Sequence, residues 1–133
     1  MSADLERVNP ESLAPATGFS HAVRTSGTSV HLAGQTALNV EGRIVGDGIV
    51  EQFEQALGNL LTALDAAGGT PDRLVSLTVY LVDVDAYKAN AREIGRVWKR
   101  LVGASYPAMA AVGVTRLWDV EALVEVQGVA VLD

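Results

Sequence analysis

One carboxylate stands out for its setting: Glu125, in the run Leu123-Val124-Glu125-Val126-Gln127. A carboxylate set among aliphatic residues can position water or move a proton. It can equally hold a neighbouring subunit through a hydrogen bond or ion pair. Gln127, on the same face, reads as structural. Upstream, Tyr106-Pro107-Ala108-Met109 opens a second apolar run. Met109 shares its face with Ala111 and Gly113, small residues that leave room for a pocket. Ordinary core packing is the competing reading of Met109. His21 and His31 lack a third ligand at any recognisable spacing, so no metal site is expected. The chain has no cysteine, so no thiolate or disulfide is available. No cofactor is implied.

The elements that must hold these residues follow from periodicity. Ala122 to Leu132 reads as a strand. Val124, Val126, Gly128 and Ala130 form one apolar or small face, and Leu123, Glu125, Gln127, Val129 and Val131 form the other. A strand over 108–115 precedes it. Leu74 to Val82 is a third, with Val75, Leu77, Val79 and Leu81 alternating against Ser76, Thr78 and Tyr80. Phe53, Ala56, Leu57, Leu60, Leu61 and Leu64 form a helical stripe over 49–67, which Gly68-Gly69 ends. Asp83 is an N-cap candidate for a second helix over 86–102, with Tyr87, Ala91, Ile94, Trp98 and Leu101 as its stripe. Near the N-terminus, 20–25 and 29–33 read as a hairpin about Ser26-Gly27-Thr28, preceded by an irregular arm over 1–17. The order β-β-α-β-α-β-β predicts an α+β, two-layer sandwich, a mixed sheet with two helices on one face. The second sheet face is too apolar for water, which predicts a homo-oligomer with Glu125 near the subunit boundary.

The chain has 133 residues, 49% hydrophobic and 20% charged, which suits a single domain over 1–133. A net charge of −6 argues against binding a phosphate backbone, so no nucleic-acid partner is expected. Arg92, Arg96, Lys99 and Arg100 read as a solvated helix face. Met1-Ser2-Ala3-Asp4 shows no signal-peptide pattern and no apolar run suits a membrane span, so a cytoplasmic protein without membrane partners is expected.

Several segments, in order, resemble one family: Gly18-Phe19-Ser20-His21-Ala22-Val23, His31-Leu32-Ala33-Gly34-Gln35 and Gln52 to Asn59. Ala66-Ala67-Gly68, Val79 to Asp83, Tyr106-Pro107-Ala108 and Leu123 to Val126 complete the set. The chain is similar to the RidA/YjgF family over nearly its whole length. The resemblance implies a chorismate-mutase-like fold, a homotrimer, and small-molecule clefts between subunits. It implies hydrolysis of reactive enamines and imines, with Glu125 as the acid that handles water. Phe19, Ala33, Gly34, Tyr106, Met109 and Ala110 would line the substrate site. Deaminating members carry an arginine directly after the Pro-Ala pair, resembling a clamp for the carboxylate of a 2-imino acid. Here that position is Met109, which offers neither charge nor a strong donor. Losing such a contact costs roughly 2–5 kcal/mol of recognition, which turns the expectation away from the usual 2-imino acids. A serine often found before Gly-Gln is replaced by Ala33. Two readings stay open: a deaminase-type hydrolase with a less acidic substrate, and a trimer that binds a small metabolite without turnover. An RNA-acting protein, also described in the family, is disfavoured by the acidic charge. Arg24, Arg92, Arg96 and Arg116 are candidates to replace the missing cation.

Overall fold

The computed structural model describes residues 4–133. Met1, Ser2 and Ala3, which entered the signal-peptide expectation, lie outside them. Among the described residues, six strands and three α-helices run in the order β1 (Glu6–Val8), β2 (Ala22–Arg24), β3 (Thr28–Gln35), α1 (Ile49–Ala66), β4 (Leu74–Leu81), α2 (Val84–Ala89), α3 (Ala91–Leu101), β5 (Ala108–Gly113) and β6 (Val124–Leu132), with a 3-10 turn over Pro71–Arg73 leading into β4. Four strands form a mixed sheet in the order β3-β6-β4-β5, with β5 parallel to β4 and the other pairs antiparallel. The helices cover one face, giving the expected two-layer α+β sandwich.

Alternation decides which side chains meet the helices. Leu77, Val79 and Leu81 of β4 and Val124, Val126 and Ala130 of β6 are buried against Phe53, Leu57, Leu60 and Leu64 of α1. Burying one such side chain fully contributes about 1.5–3 kcal/mol. Gly128 completes this face because a Cβ there would lie 2.7 Å from the Ser76 carbonyl oxygen. Helix α1 ends as its Gly68-Gly69 pair predicts. Gly68 takes φ 94°, and the amides of Gly68 and Gly69 donate to the carbonyls of Asp65 and Leu64 at 3.0 Å each.

Four local expectations are corrected. The hairpin over 20–25 and 29–33 does not form. Instead β2 pairs with β1 in a separate two-stranded sheet, and β3 pairs with β6. The arm over 1–17 is therefore not wholly irregular, since residues 6–8 give β2 its partner. The register of β4 against β6 shifts between Leu74 and Ser76, so Leu74 is buried in place of Val75. The second helix breaks at Asn90 (φ −108°, ψ 20°), whose side-chain amide donates to the Ala86 carbonyl at 2.8 Å. That bond competes with the helical ladder, and α3 restarts from the Asn90 carbonyl.

Candidate functional site

Behind Tyr106-Pro107-Ala108-Met109 lies a cavity of about 700 Å³, between α3 and β5 on the helix-covered side of the sheet. Register explains why Met109 faces it. Met109 is the parallel partner of Leu77, and Leu77 is a core residue, so both point toward the helices. The cavity is walled by Phe53 and Tyr87, whose rings meet edge to face at 6.0 Å, and by Trp98 and Tyr106, stacked at 5.9 Å. Burial raises the Tyr87 phenol above its ordinary value of 10.0, so it stays a neutral donor at physiological pH. The Trp98 indole donates to the Ser105 carbonyl at 3.3 Å, which ties α3 to the strand entry.

A segment distant in sequence closes one side. The Ser20 amide donates to the Pro107 carbonyl at 2.9 Å, and the buried Ser20 hydroxyl donates to the Tyr106 carbonyl at 2.7 Å. This latch makes Ser20 a parallel bridge partner of Ala108 and places Phe19 in the cavity wall. His21 turns elsewhere: its Nε2 lies 2.7 Å from the Ala14 carbonyl oxygen, and its ring meets Phe19 edge to face at 5.1 Å. Among the described residues, no group of three His, Asp or Glu side chains is placed to hold a metal ion.

Glu125 lies on the other face. It alternates with buried Val124 and Val126, and it is half-buried beside Gly34. A Cβ at Gly34 would overlap Glu125 Oε2 and lie 2.9 Å from its Cδ, so glycine leaves the carboxylate its place. Ala33 is exposed beside them. Nearby, the Tyr80 hydroxyl donates to Gln127 Oε1 at 2.9 Å. The residues singled out from the sequence thus form two groups. Phe19, Tyr106, Met109 and Ala110 border the cavity, whereas Ala33, Gly34 and Glu125 sit across the sheet from it.

A family profile described as Endoribonuclease L-PSP matches residues 9–132. The 2-iminobutanoate/2-iminopropanoate deaminase of Capra hircus is 33% identical over 98% of this chain and 93% of its own. The chain belongs to the RidA/YjgF family. The structure of the Rid family protein YyfB from Yersinia pestis has a TM-score of 0.87 and 36% identity, over 97% of this chain and 99% of its own. That of Rv2704 from Mycobacterium tuberculosis has a TM-score of 0.65 and 32% identity, over 96% and 99%.

This Rid chain also places two of the arginines that the sequence offered as replacement cations, together with Lys99, which it did not. Arg92, Arg96 and Lys99 are exposed, as a solvated helix face requires, yet they border the cavity from α3. Their spacing of four and three residues, which puts them on one helix face, was the available signal. Ala91 and Gly95 open the same stretch of helix and enlarge the cavity. No comparable pattern marks Ser20, whose role depends on a contact between segments far apart in the chain. No helix among the described residues is long and apolar enough to cross a membrane.

Proposed function

We propose that this protein hydrolyses small reactive enamines or imines, in clefts that adjacent subunits of a homotrimer complete together. The observation that carries the reading is the apolar cavity behind Pro107-Ala108-Met109, in a chain whose relatives include 2-iminobutanoate/2-iminopropanoate deaminases. Its companion is the position of Glu125, on the sheet face that no helix covers. That face also carries Ala33, Val112 and Val129, and Val112 is 40% exposed in the isolated chain. An apolar face of this kind favours burial against a second copy. Packing between copies would bring the Glu125 of one subunit toward the cavity of the next.

In that cleft the chemistry needs one proton carrier. Water adds to the carbon of the C=N bond as the π electrons move to nitrogen. The Glu125 carboxylate takes the water proton and returns it to the nitrogen. The carboxylate then carries the hydroxyl proton of this carbinolamine to nitrogen as the oxygen electrons form C=O and the C–N bond breaks, so ammonia leaves and a carbonyl compound remains. An enamine first takes a proton on carbon to give the imine. Aromatic walls exclude bulk water, and Met109 offers an apolar contact where deaminating relatives hold an arginine. Short 2-imino acids anchored at position 109 are therefore poor substrates. The same methionine favours a second reading, a trimer that binds a small metabolite without turnover.

Ammonia release decides between the two. Imines generated in situ from a panel of amino acids and primary amines, by an amino-acid oxidase and an amine oxidase, are offered to wild type and Glu125→Gln. Ammonia release above the spontaneous rate that Glu125→Gln abolishes supports hydrolysis; no acceleration with any imine of the panel leaves binding. Light scattering is expected to return three times the 14.0 kDa chain mass.

A further inference from the structure

The charge missing at position 109 has a replacement at the cavity mouth. Arg92, Arg96 and Lys99 border the cavity, and among the described residues no Asp or Glu does so. In a chain of net charge −6 this is a local reversal of sign.

The structure separates the arginines that the sequence left equivalent. Arg24 pairs with Glu6, Arg96 with Glu93, and Arg100 with Glu54 at 3.0 Å. Arg116 is folded onto its own loop, donating to the carbonyls of Leu117 and Trp118 at 3.1 Å each. Arg73 is buried and donates to the Val131 carbonyl at 2.7 Å. Arg92 borders the cavity and has no ion pair or hydrogen-bond partner among the described residues, a condition that Lys99 shares. Of the two, Arg92 carries the planar fork that matches a carboxylate with two parallel bonds.

We infer that Arg92 receives the anionic end of a ligand whose apolar body lies against Met109 and Ala111. The ligand class is an apolar monoanion: a medium-length carboxylate, or its imino or keto derivative. Charge recognition enters from α3, and the strand position that holds it in deaminating relatives becomes an apolar contact. The inference rests on the cavity being the ligand site, as proposed above. It deepens that proposal by restoring an acidic substrate with its charge held in a different place.

The test uses hexanoate and its neutral counterpart hexanamide, titrated by NMR against wild type, Arg92→Gln, Arg92→Lys, Lys99→Gln and Gly95→Trp. Wild type is expected to bind hexanoate about fivefold or more tightly than hexanamide, as a charge-assisted contact at a half-open site provides. That preference disappears in Arg92→Gln, weakens in Arg92→Lys and persists in Lys99→Gln. It also falls as salt is raised, because the guanidinium is exposed. Gly95→Trp, which fills the cavity from the helix side, binds neither probe. The inference is overturned if wild type shows no preference, if Arg92→Gln keeps it, if Lys99→Gln loses it, or if Gly95→Trp binds both probes like wild type. These outcomes are distinct from failure of the hydrolase reading, in which ammonia release is absent while the preference for hexanoate remains.

Discussion

Replacing Gly34 by alanine separates the position of Glu125 from the stability of the fold. Gly34 does not take a left-handed backbone conformation, so alanine is compatible with its backbone. The new Cβ would overlap Glu125 Oε2 and sit 2.9 Å from Cδ and 3.3 Å from Cγ. What gives way is the far end of a flexible side chain, so the carboxylate swings aside while the strands stay in register. The stability change is therefore expected to stay within about 1 kcal/mol, as for substitutions that leave the core intact. Displacing a reacting group by an ångström costs about a hundredfold in rate, and that is the expected loss in kcat. Gly128→Ala is the control: its Cβ would meet the Ser76 backbone oxygen at 2.7 Å and Leu77 Cδ1 at 3.0 Å, neither of which can swing clear. It should destabilise by about 1–3 kcal/mol, as overpacking does. The assay pairs urea denaturation with ammonia release from the best imine of the panel. Gly34→Ala with wild-type kcat would refute the role given to the Glu125 carboxylate position. Gly34→Ala that unfolds like Gly128→Ala would refute the geometric argument.

Other expectations follow from the cavity walls. Ser20→Ala removes a buried hydroxyl bond to the Tyr106 carbonyl, costing about 1–3 kcal/mol in denaturant unfolding and raising KM as Phe19 loosens. An unchanged KM would show that the latch does not shape the site. Gly95 lies within α3, and a Cβ there meets nothing within 4 Å. Gly95→Ala should therefore stabilise by about 1 kcal/mol through helix propensity, and a lower urea midpoint would contradict this. Burial raises the Tyr87 pKa above 10.0, so its contribution is complete below that value and lost as pH rises through the folded-state pKa. Wild type should then lose stability above pH 10.0 more steeply than Tyr87→Phe; parallel pH profiles would contradict it.

Much of this architecture was legible because its signals are local. The stripe of α1, the glycines that end it and the alternation of β6 each sit within a few turns of chain. They placed Glu125 on the face away from the helices, where it lies. The errors came from partners distant in sequence. Nothing in residues 20–33 announces that β2 pairs with 6–8 and leaves β3 to β6. The bulge near Val75 depends on its partner strand. Asn90 did carry a warning, since its amide competes for helix carbonyls, and the apolar stripe concealed it. For the site, periodicity grouped Met109 with Ala111, but it does not say which sheet face the helices cover. The cavity lies on the covered side, so Met109 and Glu125 belong to opposite faces of one subunit. Arg92 was read both as part of a solvated helix face and as one of four candidate cations, because exposure and placement at a cavity mouth look alike in a sequence.

The central claim is that one active cleft draws its cavity and its acid from different subunits. Co-refolding two inactive variants tests it directly. Glu125→Gln keeps the cavity and loses the acid, whereas Gly95→Trp keeps the acid and fills the cavity. Each alone should release no ammonia. A one-to-one mixture refolded into mixed trimers should recover about a quarter of wild-type activity, the share of clefts that pair an intact cavity with an intact acid. A mixture as inactive as its components, with mixed trimers verified by mass, would contradict the shared site.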